Sequence, residues 1–409
     1  MQLDLIQLLG MILAISVIIT LVMRRFNYGL ALIFGALILG SFCGFSLNDF
    51  AQVFLSTLTD PVTCELLLVI ALIPILAFCM TETGMVGDFL ESLKGFVSSR
   101  SVLVAVPAML GMLPMPGGAL FSAPYIDGEA EKMGMGPELK SFVNVWFRHC
   151  MALVYPITPA MVLASRLSGV GLLDLILIQI PIFVIYLSAG YVSCVPSVRS
   201  HSKGVRDAGF HRIIPLFISV SPLFLVILLI ALEVPLALAL ITGIGLVFGL
   251  KRVGYGKVLP LMWRGFNWRL VFAVFGMMLF SHMIQASGAI NVIISYIGHA
   301  ETYPLLFLIL FSCFTGVATA QPSVALAIVL PMALQILGNL TPVVVSMLYL
   351  TTFFSYLVSP MHLCLILTVG YYKARLQGVY RWLIPLTFFV CLTGLILAYG
   401  LLKHPKLSL

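Results

Sequence analysis

Long apolar runs separated by short basic or polar segments fill this chain from end to end. A bilayer crossing needs about 20 apolar residues. Ten runs are read as full spans: Leu3–Met23, Tyr28–Phe45, Val62–Met80, Phe142–Ser165, Leu172–Cys194, Ile213–Leu232, Pro235–Leu250, Leu270–Ile284, Val343–Val369 and Trp382–Leu402. Two apolar regions, 101–126 and 303–336, do not fit this pattern. Ser101 to Met115 would make about 22 Å of helix, against a hydrocarbon core of about 30 Å. Proline and small residues interrupt both regions, in G-M-L-P-M-P-G-G-A-L-F-S-A-P (Gly111–Pro124) and G-V-A-T-A-Q-P-S-V-A-L-A-I-V-L-P (Gly316–Pro331). Proline removes a backbone donor and crowds the preceding turn. The pattern therefore predicts two re-entrant hairpins, each entering and leaving on one face. Broken backbone at membrane depth must be buried in protein or line a wet cavity.

Charge tests this arrangement, because Lys and Arg gather on the cytoplasmic side. Of the 22 Lys and Arg, Arg148 falls inside a span. With both hairpins, 18 of the others share one face, leaving Arg166, Lys403 and Lys406 on the other. With two extra crossings instead, the split would be 8 to 13. The hairpin topology puts both termini outside a cytoplasmic membrane. The run from Leu5 to Met23 has neither basic leader nor cleavage site, and is read as a retained first span.

The halves repeat about 204 residues apart: Gly84 with Gly288, the tips at Gly111 and Gly316, and Pro156 with Pro360. Five spans per half is odd, so the second half is expected to be inverted. The expected fold class is an all-α polytopic membrane protein of about ten transmembrane helices in two inverted repeats. Residues 1–195 form the first, with hairpin 101–126 and a Pro-broken helix at 142–165. A basic cytoplasmic linker covers 196–212. Residues 213–409 form the second, with hairpin 303–336 and broken helix 343–369. Met85–Ser99 and its mirror Ala289–His299 read as interfacial helices.

Composition narrows the class further. The chain is 61% hydrophobic and 9% charged, too few charges to clothe a soluble surface. The net charge of +7 sits in short loops and reports orientation, not nucleic-acid binding. Eight cysteines lie singly without ligand spacing, so no metal site is expected. No phosphate-binding loop follows a strand, and H-E-x-x-H is absent.

Candidate chemistry gathers where the spans break. In N-V-W-F-R-H-C-M-A-L-V-Y-P-I-T-P, helical spacing puts Asn144, Arg148, Met151 and Tyr155 on one face, with unwinding at Pro156 and Pro159 and Thr158 between them. A guanidinium about 12 Å into the membrane is costly and faces a cavity or a partner. Its planar fork suits a carboxylate or phosphate, and Glu82 or Glu65 could pair with it instead. The mirror span L-T-T-F-F-S-Y-L-V-S-P-M-H offers Thr352, Ser355 and Ser359, with Thr352 the counterpart of Arg148. Such hydroxyls also bond their own i−4 carbonyls. The tips add Pro116, Gly117 and Gly118, and Thr319, Gln321 and Ser323. His149, His282 and His362 lie within spans as candidate proton relays, each with packing as the alternative.

Two halves of this plan resemble the ion transporter superfamily, which includes divalent anion–sodium symporters, citrate–metal symporters and gluconate-type permeases. P-M-P-G-G-A-L-F-S-A-P followed by N-x-W-F-R-H and Y-P resembles, more closely, an uncharacterised integral membrane family within it. The resemblance covers nearly the whole chain. It implies a homodimer whose hairpin-bearing domain moves as an elevator, with a site at Pro116–Gly118, Gln321–Ser323 and the breaks at Pro156 and Pro360. The Ser-Asn-Thr hairpin motifs of sodium-coupled members are missing, which leaves Na+ and H+ both open as coupling ion and no other cofactor. The expected function is secondary active transport of a small organic anion, with a carboxylate foremost. The alternatives are a cation/proton antiporter and a membrane-embedded enzyme.

Overall fold

A computed structural model describes residues 2–24, 26–96, 99–112, 119–194, 213–288 and 302–403. These residues form nineteen α-helices and no strand. In the first half they are α1 (Gln2–Met23), α2 (Tyr28–Phe42), α3 (Leu47–Thr59), α4 (Pro61–Glu82), α5 (Met85–Phe96), α6 (Ser99–Gly111), α7 (Ala119–Lys132), α8 (Pro137–His149), α9 (Pro159–Ser168) and α10 (Leu172–Cys194). The second half holds α11 (Ile213–Ala231), α12 (Leu236–Leu250), α13 (Tyr255–Gly265), α14 (Trp268–Ser287), α15 (Thr302–Thr319), α16 (Pro322–Leu337), α17 (Pro342–Leu357), α18 (Leu363–Tyr372) and α19 (Leu376–Lys403). The linker 196–212, the interfacial segment at Ala289–His299 and the first hairpin tip lie outside the described residues.

Six helices are long and apolar enough to cross a membrane: α1, α4, α10, α11, α14 and α19. The chain is thus an all-helical membrane protein. Two other expected spans, at 28–45 and 235–250, are the 15-residue helices α2 and α12. The remaining two are each broken in two pieces, α8 with α9 and α17 with α18.

Local chemistry sets many of these boundaries. Asp60 accepts from the Thr63 amide and is followed by Pro61, which starts α4 where no amide donor is needed. Asn27, Asn267 and Thr341 cap α2, α14 and α17 in the same way. Residues with positive φ stop helices at Gly84 and Gly288, Gly134 and Gly338, and Gly169 and Lys373, each pair 204 residues apart. Apart from α5, whose counterpart would fall outside the described residues, the helix order of 2–194 therefore recurs in 213–403.

Two helices went unread in the sequence. α3 and α13 occupy segments expected to be loops, and each precedes the long helix of its half. Both alternate apolar and polar faces, and both leave large apolar side chains uncovered: Leu47, Leu55 and Leu58 on α3, and Tyr255, Leu259 and Trp263 on α13. Amphipathic helices of this kind suit a membrane surface, where the apolar face can meet acyl chains. Their runs are shorter than a span, which is why hydropathy passed over them.

Layering follows composition. α1, α10, α11 and α19 carry apolar residues all round and bury a third or less of their best windows, whereas α4 and α14 bury 61%. Inside lie the broken helices, packed as two similar units. α6 packs against α7 and α8, and α15 against α16 and α17. A Cβ on Gly111 would strike the Arg148 carbonyl oxygen, and one on Gly316 would come within 2.7 Å of the Thr352 carbonyl oxygen. Each hairpin's glycine thus lets its arm touch the backbone of the adjacent broken helix.

Candidate functional site at the two helix breaks

The first break starts earlier than the prolines. α8 ends at His149, and Cys150–Leu153 continue as a 3-10 turn. Asn144 and Arg148 share a face of α8, Met151 follows in the 3-10 turn, and Tyr155 lies beyond it, so the expected stripe is helical only as far as Met151. Pro156 has no amide to give the Ala152 carbonyl, and tightening the turn upstream leaves further acceptors open. Neighbouring helices supply the missing donors. The Tyr349 hydroxyl of α17 donates to the Ala152 carbonyl at 2.6 Å, and the Tyr186 hydroxyl of α10 donates to the Trp146 carbonyl at 2.9 Å. Tyr186 also stacks on the Trp146 indole, whose N–H donates to the Tyr186 carbonyl. Aromatic partners from two other helices therefore satisfy the acceptors that the break leaves open.

At the second break the Ser359 hydroxyl donates to the Val317 carbonyl at 2.7 Å, tying the end of α17 to the end of α15. Ala320, left-handed at φ 49°, then turns the chain into α16. The tip hydroxyl of Thr319 donates within its own turn, to Thr315 and Gln321. Ser323 is buried beside it in the first turn of α16. Pro116, Gly117 and Gly118 lie outside the described residues.

Arg148 is 5% exposed, with its guanidinium facing Cys364 and Tyr356 and its Nη1 without a hydrogen-bond partner. Neither acid named as a rival partner reaches it. Glu65 pairs with Arg166, and Glu82 pairs with Arg264 at 3.5 Å. The neighbouring Asn144 is fully engaged: it accepts from Ser122 at 2.6 Å and donates to the Ala119 carbonyl and Thr368. It clamps α7 and α18 onto α8, and both of its amide protons are used in doing so. Thr352 is buried with its hydroxyl unpartnered, while Ser355 bonds the Thr351 carbonyl four residues back. Thr158 likewise donates to its local Tyr155 carbonyl. Tyr155 and the Pro156 ring are buried in the break between α8 and α9.

The three histidines part company. His282 on α14 bonds Thr57 at 2.9 Å and lies 4.0 Å from Asp60, beside α3. His149 and His362 meet, with ring centroids 4.7 Å apart. Between them stands the Tyr356 hydroxyl, 3.0 Å from His149 Nε2 and 2.8 Å from His362 Nε2. Each ring is anchored behind, His149 Nδ1 to the Val145 carbonyl at 2.7 Å and His362 Nδ1 to the Leu357 carbonyl at 3.2 Å. With Cys364 the two rings make a trio whose ligand atoms lie within 4.8 Å of one another, a grouping that sequence spacing did not flag. The chain places His149 and His362 213 residues apart, at positions that are not repeat mates, so no local pattern could have joined them. Tyr356, six residues before His362, carried no signal beyond being a polar aromatic near a proline.

Sequence comparison reaches the same whole-chain scale. A family profile described as protein of unknown function (DUF401) matches residues 6–402. The chain belongs to the DUF401 family. No curated protein matches it. The DUF401 match spans both hairpins and both breaks, so the junction lies wholly within the region that defines the family.

Proposed function

We propose that this protein is a secondary active transporter of a small organic anion, with a carboxylate as the anionic group and Arg148 as its receptor. The observation that carries this reading is a buried guanidinium with an open Nη1 and no carboxylate within reach among the described residues. An unpaired buried cation is expensive, so an anion that reaches it gains strongly. The setting supports the same reading. Two helix breaks and two hairpin arms converge there, the plan by which transporters expose backbone dipoles to solutes at mid-membrane. The recurring helix order supports two repeats, and an odd number of spans in each makes them inverted. Homodimeric assembly, elevator motion, a cytoplasmic membrane with both termini outside, and coupling to H+ or Na+ belong to this proposal.

Purified protein in liposomes tests it. Labelled acetate, succinate and citrate would be offered with and without a sodium gradient and a proton gradient. Accumulation of one of them, lost in Arg148→Gln that remains monodisperse, supports the proposal. Near-normal uptake in that variant overturns the role of Arg148. Cation exchange without anion flux would favour an antiporter, and turnover chemistry without flux an enzyme.

A further inference from the structure

Hydrogen-bond bookkeeping at the paired histidines leaves one proton missing. A carbonyl oxygen can only accept, so the bonds to the Val145 and Leu357 carbonyls fix a proton on Nδ1 of both His149 and His362. In the neutral rings each Nε2 is then a lone pair. Both lone pairs point at the Tyr356 oxygen, at 3.0 and 2.8 Å, and that oxygen carries one proton. It can satisfy one ring and must oppose the other. A single added proton resolves the conflict: one Nε2–H donates to the Tyr356 oxygen, and the Tyr356 hydroxyl donates to the second Nε2. Every donor and acceptor in the chain of three is then matched.

We propose that His149, Tyr356 and His362 form a binding site for one proton, shared across the two helix breaks. No covalent step is involved: the proton adds to one imidazole lone pair and leaves by the same atom. The proposal rests on the transport reading only in calling this proton the coupling ion. A metal ion is the rival occupant, since Cys364 completes a three-ligand group. Two features oppose it. The Tyr356 oxygen already occupies the space between the two Nε2 atoms, and Arg148 beside Cys364 holds a fixed positive charge against which a divalent ion would have to bind. Among the described residues, the charged and titratable groups within electrostatic reach are Arg148 on α8, Cys150 in the turn after it and Cys364 on α18, with the phenols of Tyr28, Tyr186 and Tyr349 on α2, α10 and α17. No carboxylate stands among them. The proton therefore shares its surroundings with one guanidinium, and an anion at Arg148 would remove the repulsion between them. Binding of each then favours the other, by reciprocal linkage.

The test uses full-length protein with ring-nitrogen-labelled histidine and no added solute. Magnetic resonance follows protonation as the pH falls from about 9 to about 5, the range in which histidine titrates. His149→Gln and His362→Gln assign the signals. The expected result is uptake of a single proton on Nε2 of one ring of the pair. Tyr356→Phe, which removes one oxygen and keeps the ring, should shift that titration by at least about one pH unit, a tenfold change in proton affinity. Should either histidine variant fail to fold, Tyr356→Phe alone carries the test. Three results would overturn the proposal: both rings holding only Nδ1–H throughout, an unchanged titration in Tyr356→Phe, or a stoichiometric transition metal that co-purifies and is lost in His362→Gln. Because the measurement needs no solute, it separates from the transport reading. A proton at the pair without carboxylate uptake would sink anion transport alone, and uptake without the proton would sink this site alone.

Discussion

The two broken helices share a backbone plan and differ in what they carry. α8 holds Asn144 and Arg148 before its break, where α17 holds Leu348 and Thr352 at the positions 204 residues later. Both are packed by a hairpin glycine against the equivalent carbonyl. One break is closed by tyrosine hydroxyls from other helices, the other by its own Ser359 reaching a hairpin end. The histidines that meet come from unmatched positions, before one break and after the other. The matched positions thus share backbone geometry and differ in side chain, with the guanidinium on one break and a hydroxyl on the other.

Substitutions at matched positions would break or sharpen this contrast. The largest effect is expected at the paired glycines. A Cβ at Gly111 meets backbone that cannot move aside, so Gly111→Ala should cost upwards of about 3 kcal/mol, near the top of the overpacking range. Gly316→Ala meets a carbonyl at 2.7 Å and the Ser355 side chain at 2.9 Å and should cost about 1–3 kcal/mol. Thermal unfolding in detergent checks the order, and equal losses would contradict it. Arg148→Gln should abolish anion binding and Arg148→Lys should weaken it about tenfold, because an ammonium keeps the charge and loses the fork. Thr352→Val should not lower the unfolding temperature, since its buried hydroxyl has no partner to lose. Asn144→Leu, which copies the residue of the second half, removes hydrogen bonds to Ser122, Ala119 and Thr368. It should destabilise by about 2–3 kcal/mol, seen as a lowered unfolding temperature.

The smallest effect separates the surface helices. The Ser46 hydroxyl and amide donate to the Asp49 carboxylate at the start of α3, which holds that carboxyl below its ordinary range. α13 begins at Gly254 with no side-chain cap. A depressed carboxylate contributes stability above its unfolded pKa and loses it as pH falls through the folded value. Amide protection in the first turn of α3, corrected for the intrinsic pH dependence of exchange, should therefore fall upon acidification below about pH 4, while that of the first turn of α13 stays unchanged. Parallel behaviour in both would remove the cap from the explanation.

Much of the scaffold was legible because membranes impose long apolar runs and because proline and glycine punctuate them. Helix-ending glycines and the two tip motifs marked the repeat directly. Arg148 was legible as well, since an intramembrane charge stands out against apolar neighbours. The start of the first break was not. Pro156 marked a disruption, but its upstream extent depends on Tyr349 and Tyr186 donating from distant helices. Asn144 was read as a ligand for solute, and its partners on α7 and α18 could not be foreseen from helical spacing. His149 and His362 were each visible, but their meeting depends on how α8 and α18 pack, which no local pattern encodes. α3 and α13 escaped because amphipathic helices of this length fall below any threshold set by bilayer thickness.

The close packing of α2 on α14 bears on how the chain is made. A Cβ on Gly276 would lie within 2.9 Å of the Gly29 Cα, so these two helices touch backbone to backbone. They belong to different halves, and 247 residues separate the glycines. At about 5–20 residues per second, a ribosome takes roughly 12–50 seconds to supply the second after the first. Throughout that interval the groove of α2 at Gly29 and Gly40 lacks the helix that fills it. A ribosome that stalls after the first half leaves this groove permanently open. Quality-control proteases should therefore clear such truncated chains faster than ones that stop after α14.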